Sequence, residues 1–154
     1  MTLAYFDCFA GASGDMIVGA LLDAGADFPS LARQLASLGV EGLSVRADKT
    51  RRAGLSGTKF HVDVPHAHEH DHEPDHSHEP HRHLGDILSL IDRADLADRT
   101  RDRARKVFTR LAQAEAKVHG VGVEQVHFHE VGAIDSIADI VGACVCLELL
   151  GIDR

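Results

Sequence analysis

The sequence predicts an α+β fold: a small mixed sheet packed by helices, with one mobile histidine-rich loop. Three observations predict it. Short apolar runs bounded by turn residues read as strands, most clearly where Phe60, Val62 and Val64 alternate with Lys59, His61 and Asp63. Several other segments place apolar residues at helical spacing. Between the two kinds lies a stretch with no apolar periodicity. The chain has 154 residues, 44% hydrophobic and 26% charged, which suits one domain with a real core. We divide it into 1–64 as the N-terminal part of one α/β domain, 65–83 as a disordered loop, and 84–154 as the helical remainder.

The elements follow in order. Residues 2–6 (Thr-Leu-Ala-Tyr-Phe) read as a short buried strand. A turn-rich stretch from Asp7 to Gly14 leads into a helix over Asp15–Ala24, with Met16, Ala20, Leu21 and Ala24 as its apolar side and Gly25 as its stop. Residues 29–38 form a second helix that begins at Pro29 and ends at Gly39. Residues 42–49 and 57–64 are strands joined by a hairpin loop at Arg51-Arg52-Ala53-Gly54. Beyond Pro65 the loop begins. Helical patterning resumes at Leu84 and runs to about Leu90. A longer amphipathic helix covers 98–119, with Val107, Leu111, Ala114 and Val118 at 3–4 spacing. Its basic residues (Arg99, Arg101, Arg103, Arg105, Lys106 and Arg110) are expected to be mostly solvated, forming a patch able to meet phosphate. Residues 126–129 are a short strand, and Ile134–Leu150 a final helix closed by Gly151.

Composition excludes several functions. Lys+Arg 16 against Asp+Glu 24 gives a net charge of -8, unsuited to a broad nucleic-acid-binding face. No apolar run approaches the roughly 20 residues of a membrane span. The N-terminus has no basic n-region and Asp7 interrupts its apolar run, so no signal peptide is expected. Cys8, Cys144 and Cys146 are odd in number, which favours a reducing compartment and a cytoplasmic protein. Cys144 and Cys146 project about 200° apart on a helix and read as core residues. Fourteen Gly, one Tyr and no Trp point to small-residue packing.

The string PHAHEHDHEPDHSHEPHRH carries the loudest chemistry. His66, His68, His70, His72, His76, His78, His81 and His83 alternate with Glu69, Asp71, Glu73, Asp75 and Glu79. Neutral imidazole suits zinc, copper and nickel, and interleaved acids attract dications. Closely spaced ligands on a flexible chain suit collecting an ion rather than fixing a catalytic geometry. A solvated linker without a role is the bland alternative.

Two further segments carry candidate sites. In Asp7-Cys8-Phe9-Ala10-Gly11-Ala12-Ser13-Gly14-Asp15, Gly11 and Gly14 permit close backbone approach and Ser13 can cap the following helix, leaving its first amides for a phosphate. Asp7 and Asp15 suit a cation that a phosphate or nucleotide shares, although an ordinary turn explains the segment equally well. In Val-His-Phe-His-Glu, side chains alternate, so His127 and His129 share one face while Phe128 points inward, with Glu130 at the turn. Asp135 and Asp139 then stack at i and i+4 on the next helix, a mildly destabilising pair that a shared cation relieves. Gly142 and Cys146 extend that stripe, Gly142 leaving room for something large, while Ile134, Ile137, Val141 and Val145 form the opposite, buried stripe.

Taken together, DCFAGASGDM, the internal histidine loop and VHFHEVGAIDSIADIVG resemble the LarC family of nickel insertases. The resemblance covers nearly the whole chain, in order. It implies a CTP-dependent enzyme, a cyclometallase of the lyase type. The enzyme inserts nickel into pyridinium-3,5-bisthiocarboxylic acid mononucleotide to complete the nickel-pincer cofactor of lactate racemase. It also carries over Asp7, Ser13, Asp15, His127, His129, Glu130, Asp135 and Asp139 as motif residues. Within that family's chemistry we expect nickel as metal, CTP with Mg or Mn on a C-terminal domain without counterpart in this chain, and the nucleotide-like precursor as partner, within the lactate racemase maturation system. The chain is thus expected to be an N-terminal fragment; a homo-oligomer is compatible with the sequence.

Asp7, Asp15, His129 and Glu130 are the catalytic candidates, Glu130 or His129 by reach as the base that deprotonates the pyridinium carbon. Gly11, Ser13 and Gly14 are the candidates for holding the precursor; the loop histidines, His127, His129, Asp135 and Asp139 are those for metal. The competing readings are a non-catalytic nickel chaperone or storage module, and a metal-dependent phosphohydrolase using Asp7 and Asp15.

Overall fold

The computed structural model describes residues 1–9, 11–64, 82–128 and 134–153. The loop expected over 65–83 therefore lies outside them except for Arg82 and His83.

Asp27 opens the second helix in the way its side chain favours, accepting a hydrogen bond from the Ser30 amide at 2.9 Å, with Pro29 in the first turn. That helix, α2 (Phe28–Ala36), follows α1 (Gly14–Asp23), and both lay apolar faces on α5 (Ile134–Leu149). The α1 face consists of Val18, Gly19 and Leu21; Met16, Ala20 and Ala24, expected on it, are exposed. Strands β1 (Ser44–Arg52) and β2 (Leu55–Asp63) form an antiparallel hairpin, running closer to the turn than expected. Only Ala53 (φ 50°) and Gly54 (φ 85°) remain as the loop, both left-handed, the turn whose twist matches paired strands. A second antiparallel pair is minimal: β3 (Arg82–His83) against β4 (His127–Phe128). Parallel pairing is confined, among the described residues, to one bridge between Thr2 and Ile152.

Helix α3 (Leu84–Arg93) buries Leu84, Ile87 and Ile91, a spacing of one helical face. It packs on α4 (Asp98–His119), which packs in turn on α5. The phase of α4 differs from the sequence reading. Thr100, Ala104, Phe108, Ala112 and Ala116 face inward, whereas Val107, Ala114 and Val118 are exposed and Leu111 is half-buried. Alanines at i+4 intervals let two neighbouring helices approach closely, and one Phe fills the remaining space; larger Val side chains would hold them apart. The basic residues of α4 are also less free than expected. Arg99 and Arg103 donate to the Ile152 carbonyl at 2.7 and 2.6 Å, Arg101 to the carbonyls of Ala94 and Leu96, and Arg105 to Asp92. Lys106 and Arg110 stay on the outer face.

The core centres on α5. Ile137, Val141 and Val145 are fully buried with Val18, Leu31, Leu35 and Phe60 around them, each contributing about 1.5–3 kcal/mol by leaving water. Cys144 and Cys146 are buried as expected, and burial pushes their thiols up to about 11 and about 12. Residues 2–6 are not the buried strand expected. Among the described residues they form no ladder beyond Thr2 and have no strand beside them, and of these five only Ala4 packs against the core. Among the described residues, no helix is long and apolar enough to cross a membrane.

Candidate functional site

The glycine turn and the acidic face of α5 meet at one point. Gly11 adopts φ 83° and its amide bonds the Cys8 carbonyl at 2.9 Å, reversing the chain into α1. Gly14 then presses directly on α5: a Cβ there would lie 2.5 Å from the Asp139 Cβ, closer than real atoms approach. Only glycine permits this contact, so the turn and Asp139 are brought together by a missing side chain. Ser13 occupies the N-cap position, but its hydroxyl bonds the Asp15 carboxylate instead of a helix amide. The Asp15 amide donates to Asp139.

Asp139 thus sits where three carboxylates gather. Burial, then the charges of Asp15 and Asp135, push its carboxyl up to about 6, against the lowering effect of the Asp15 amide. Its Oδ1 is buried and has no partner among the described residues. Such a group is costly to ionise alone and is relieved by a cation or a proton. Asp135 is exposed, and its Oδ1 accepts from the Ser136 amide at 2.7 Å. Asp7 is exposed.

Two histidines from distant parts of the sequence come together in the fold's second ladder. His83, the last histidine of the rich tract, pairs in register with His127, and their rings lie 4.1 Å apart at 50°. The His83 amide bonds Asp86 at 2.9 Å, fixing the start of α3, while its Nδ1 is buried without a partner among the described residues. Phe128, next to His127, is buried as the alternation predicted. This cross-link between the loop and the VHFHE segment is not visible in the sequence, because both strands have only two residues.

The remaining expectations divide plainly. His66, His68, His70, His72, His76, His78, His81, His129 and Glu130 lie outside the described residues. Among the described residues, no three His, Cys, Asp or Glu side chains are grouped to hold a metal ion. Gly142 does not open a space: a Cβ there would meet Val18, Leu31 and Leu35 at 3.5–3.7 Å, so the residue is part of the packing of α5 on α1 and α2. The stripe shared by Asp135, Asp139, Gly142 and Cys146 therefore passes from a polar end into the core.

Comparison with known families matches residues 4–154 to the nickel insertion protein family. The chain belongs to that family. A relative in Geotalea uraniireducens (strain Rf4) is 47% identical over 154 residues, covering 99% of this chain and 37% of the relative. The pyridinium-3,5-bisthiocarboxylic acid mononucleotide nickel insertion protein of Acetivibrio thermocellus is 47% identical over 154 residues, with 100% of this chain and 37% of the relative covered. The protein of the same name in Desulfitobacterium hafniense (strain DSM 10664 / DCB-2) is 45% identical, with 100% and 36% covered. The chain thus spans little more than a third of the length of these family members. No solved structure matches it.

Proposed function

We propose that this chain is the metal-receiving part of a nickel insertase, taking nickel as substrate and presenting it to pyridinium-3,5-bisthiocarboxylic acid mononucleotide. One observation carries the reading. The end of the histidine tract is paired, ring against ring, with the segment that holds the His-Phe-His-Glu pattern of this sequence, so ions gathered by the loop are delivered beside His127. Orphaned Asp139, raised by its burial and by the charges of Asp15 and Asp135, gives the junction of α1 and α5 a carboxyl that a cation would relieve. His129 or Glu130 then takes the proton that leaves the pyridinium carbon as nickel bonds to it. Gly11, Ser13 and Gly14 hold the precursor's phosphate end at the start of α1, with the metal balancing Asp7 and Asp15.

The turn carries no basic side chain, which does not fit a triphosphate. We therefore place CTP, with its Mg or Mn, on the further polypeptide of proteins of the relatives' length. The reading further makes the protein a cytoplasmic lyase serving lactate racemase maturation, with no nucleic-acid or membrane partner, and compatible with a homo-oligomer.

Calorimetric titration with nickel, with zinc as comparator, tests it. Three proteins are needed: this chain, a version with residues 66–81 replaced by a short Gly/Ser linker, and His83→Ala/His127→Ala. We expect one tight site to survive loop replacement and to be lost in the double variant. Loss of all binding with the loop would instead make the region a nickel-storing or chaperone module. In the protein at the length of its relatives, Asp15→Ala or His129→Ala should abolish nickel incorporation; unaffected loading in both variants would sink the pocket assignment.

A further inference from the structure

The N-terminal segment is built like an interior strand but is exposed. Residues 3–6 are continuously apolar (Leu-Ala-Tyr-Phe), the pattern of a strand covered on both faces, as in parallel sheets. Yet Leu3 is 66% exposed, Tyr5 85%, and Phe9, a little further on, 93%. An exposed apolar edge of this kind is a liability that folded proteins cover.

The structure also shows from which side and in which direction it can be covered. After α5 the chain turns at Gly151 and comes alongside the N-terminus, where Ile152 pairs with Thr2 in parallel. The Asp153 amide donates to the Thr2 carbonyl at 2.9 Å, and the Asp153 carboxylate accepts from the Thr2 amide at 3.0 Å. Arg99 and Arg103 hold the Ile152 carbonyl from the other side, so this exit is anchored. A parallel strand that extended this bridge would run along residues 3–8 in the same direction. In relatives of which this chain covers 36–37%, polypeptide continues well past this region.

We infer that residues 3–8 are a strand completed in parallel by the polypeptide that follows Asp153 in a protein of the relatives' length. The Thr2–Ile152 bridge is the first rung and sets the register. In a parallel ladder each paired residue bonds the two residues flanking its partner. The next amide to engage is that of Ala4, meeting the Asp153 carbonyl, and those of Phe6 and Cys8 meet the following alternate carbonyls. The amides of Leu3, Tyr5 and Asp7 point to the opposite edge. The occupant is this continuation rather than a second copy, because the bridge already places it, with its direction set, at the mouth of the gap. The inference does not depend on how nickel is handled.

Residue-resolved amide hydrogen exchange tests it, on the protein at the relatives' length and on the 154-residue chain. We expect the amides of Ala4, Phe6 and Cys8 to exchange at least 100-fold more slowly in the longer protein than in the shorter one. Fast exchange at these three in both proteins overturns the proposal. So does protection at Leu3, Tyr5 and Asp7 alone, which would mean that the opposite edge is the one covered. Protection in the 154-residue chain that rises with its concentration also overturns it, since the occupant is then a second copy.

Discussion

Replacing Asp139 by Asn should stabilise the metal-free protein at neutral pH. The side chain is half-buried beside Asp15 and Asp135, and its carboxyl is raised from 3.8 to about 6. A raised acid holds its proton more tightly folded than unfolded. Below pH 3.8 both states are protonated and the group contributes nothing to the pH dependence. Between 3.8 and about 6 the unfolded chain releases the proton first, so stability falls as pH rises; above about 6 the whole cost is present. Two units correspond to about 3 kcal/mol, and solvent reaching half of the group reduces this to about 1–2 kcal/mol. Asn carries no charge and keeps an oxygen for the Asp15 amide. In a protein of this size the gain is worth roughly 3–6 °C in Tm. Thermal unfolding followed by far-UV circular dichroism, in chelator at pH 4, 5.5 and 7.5, measures it. The histidines titrate in both proteins and cancel in the difference. The variant should lead at pH 7.5, lead less at 5.5 and match the original near pH 4. Equal or lower stability of Asp139→Asn at pH 7.5 would falsify the account of a strained carboxylate at the junction of α1 and α5.

Three other perturbations follow from single contacts. Gly19→Ala places a methyl 2.2 Å from the Thr58 carbonyl oxygen, so α1 must separate from β2; a cost of about 3 kcal/mol, offset by about 1 from helix propensity, should lower chemical-denaturation stability by about 2 kcal/mol. Thr100 is fully buried with its hydroxyl unpartnered among the described residues, so Thr100→Val should raise stability by about 1 kcal/mol in urea titration, and a loss would show that the hydroxyl is bonded. Asp23 is held at about 2, chiefly by Lys49 and then by the Thr58 hydroxyl and amide. A depressed acid stabilises above its unfolded value and loses that contribution as pH falls, so Asp23→Ala should be less stable at pH 7 and converge on the original between pH 4 and 2.

The helices and the hairpin were legible because their apolar spacing and turn residues are local, as at Leu84, Ile87 and Ile91 or in the alternation around Phe60. Family membership was legible for the same reason: both long motifs are contiguous in sequence. What depends on distant partners was not. The inward side of α4 is hidden from the sequence because alanine carries little hydrophobic signal, and the anchoring of its arginines because the Ile152 carbonyl that holds two of them lies some fifty positions away. The sequence predicts close approach at Gly14, but that the object approached is Asp139 needs the fold. Likewise no periodicity announces a two-residue strand, so the meeting of His83 with His127 could not be read from either segment.

Helix α1 is wedged along its whole length. Gly14 abuts Asp139 at one end, Gly19 abuts the Thr58 carbonyl in the middle, and Asp23 is tied to Lys49 and Thr58 at the other. It behaves as a strut between the hairpin and α5, unable to slide or tilt without breaking backbone-level contacts. The separation between the turn that precedes α1 and the acidic face of α5 is therefore an inherited dimension of the scaffold. Under the proposed reading, an ion arriving here would be met by side-chain rotation, on the nanosecond scale of rotamer exchange, and not by helix displacement. On that proposal, capture at this corner would be a single fast event, with any slow phase arising elsewhere in the protein.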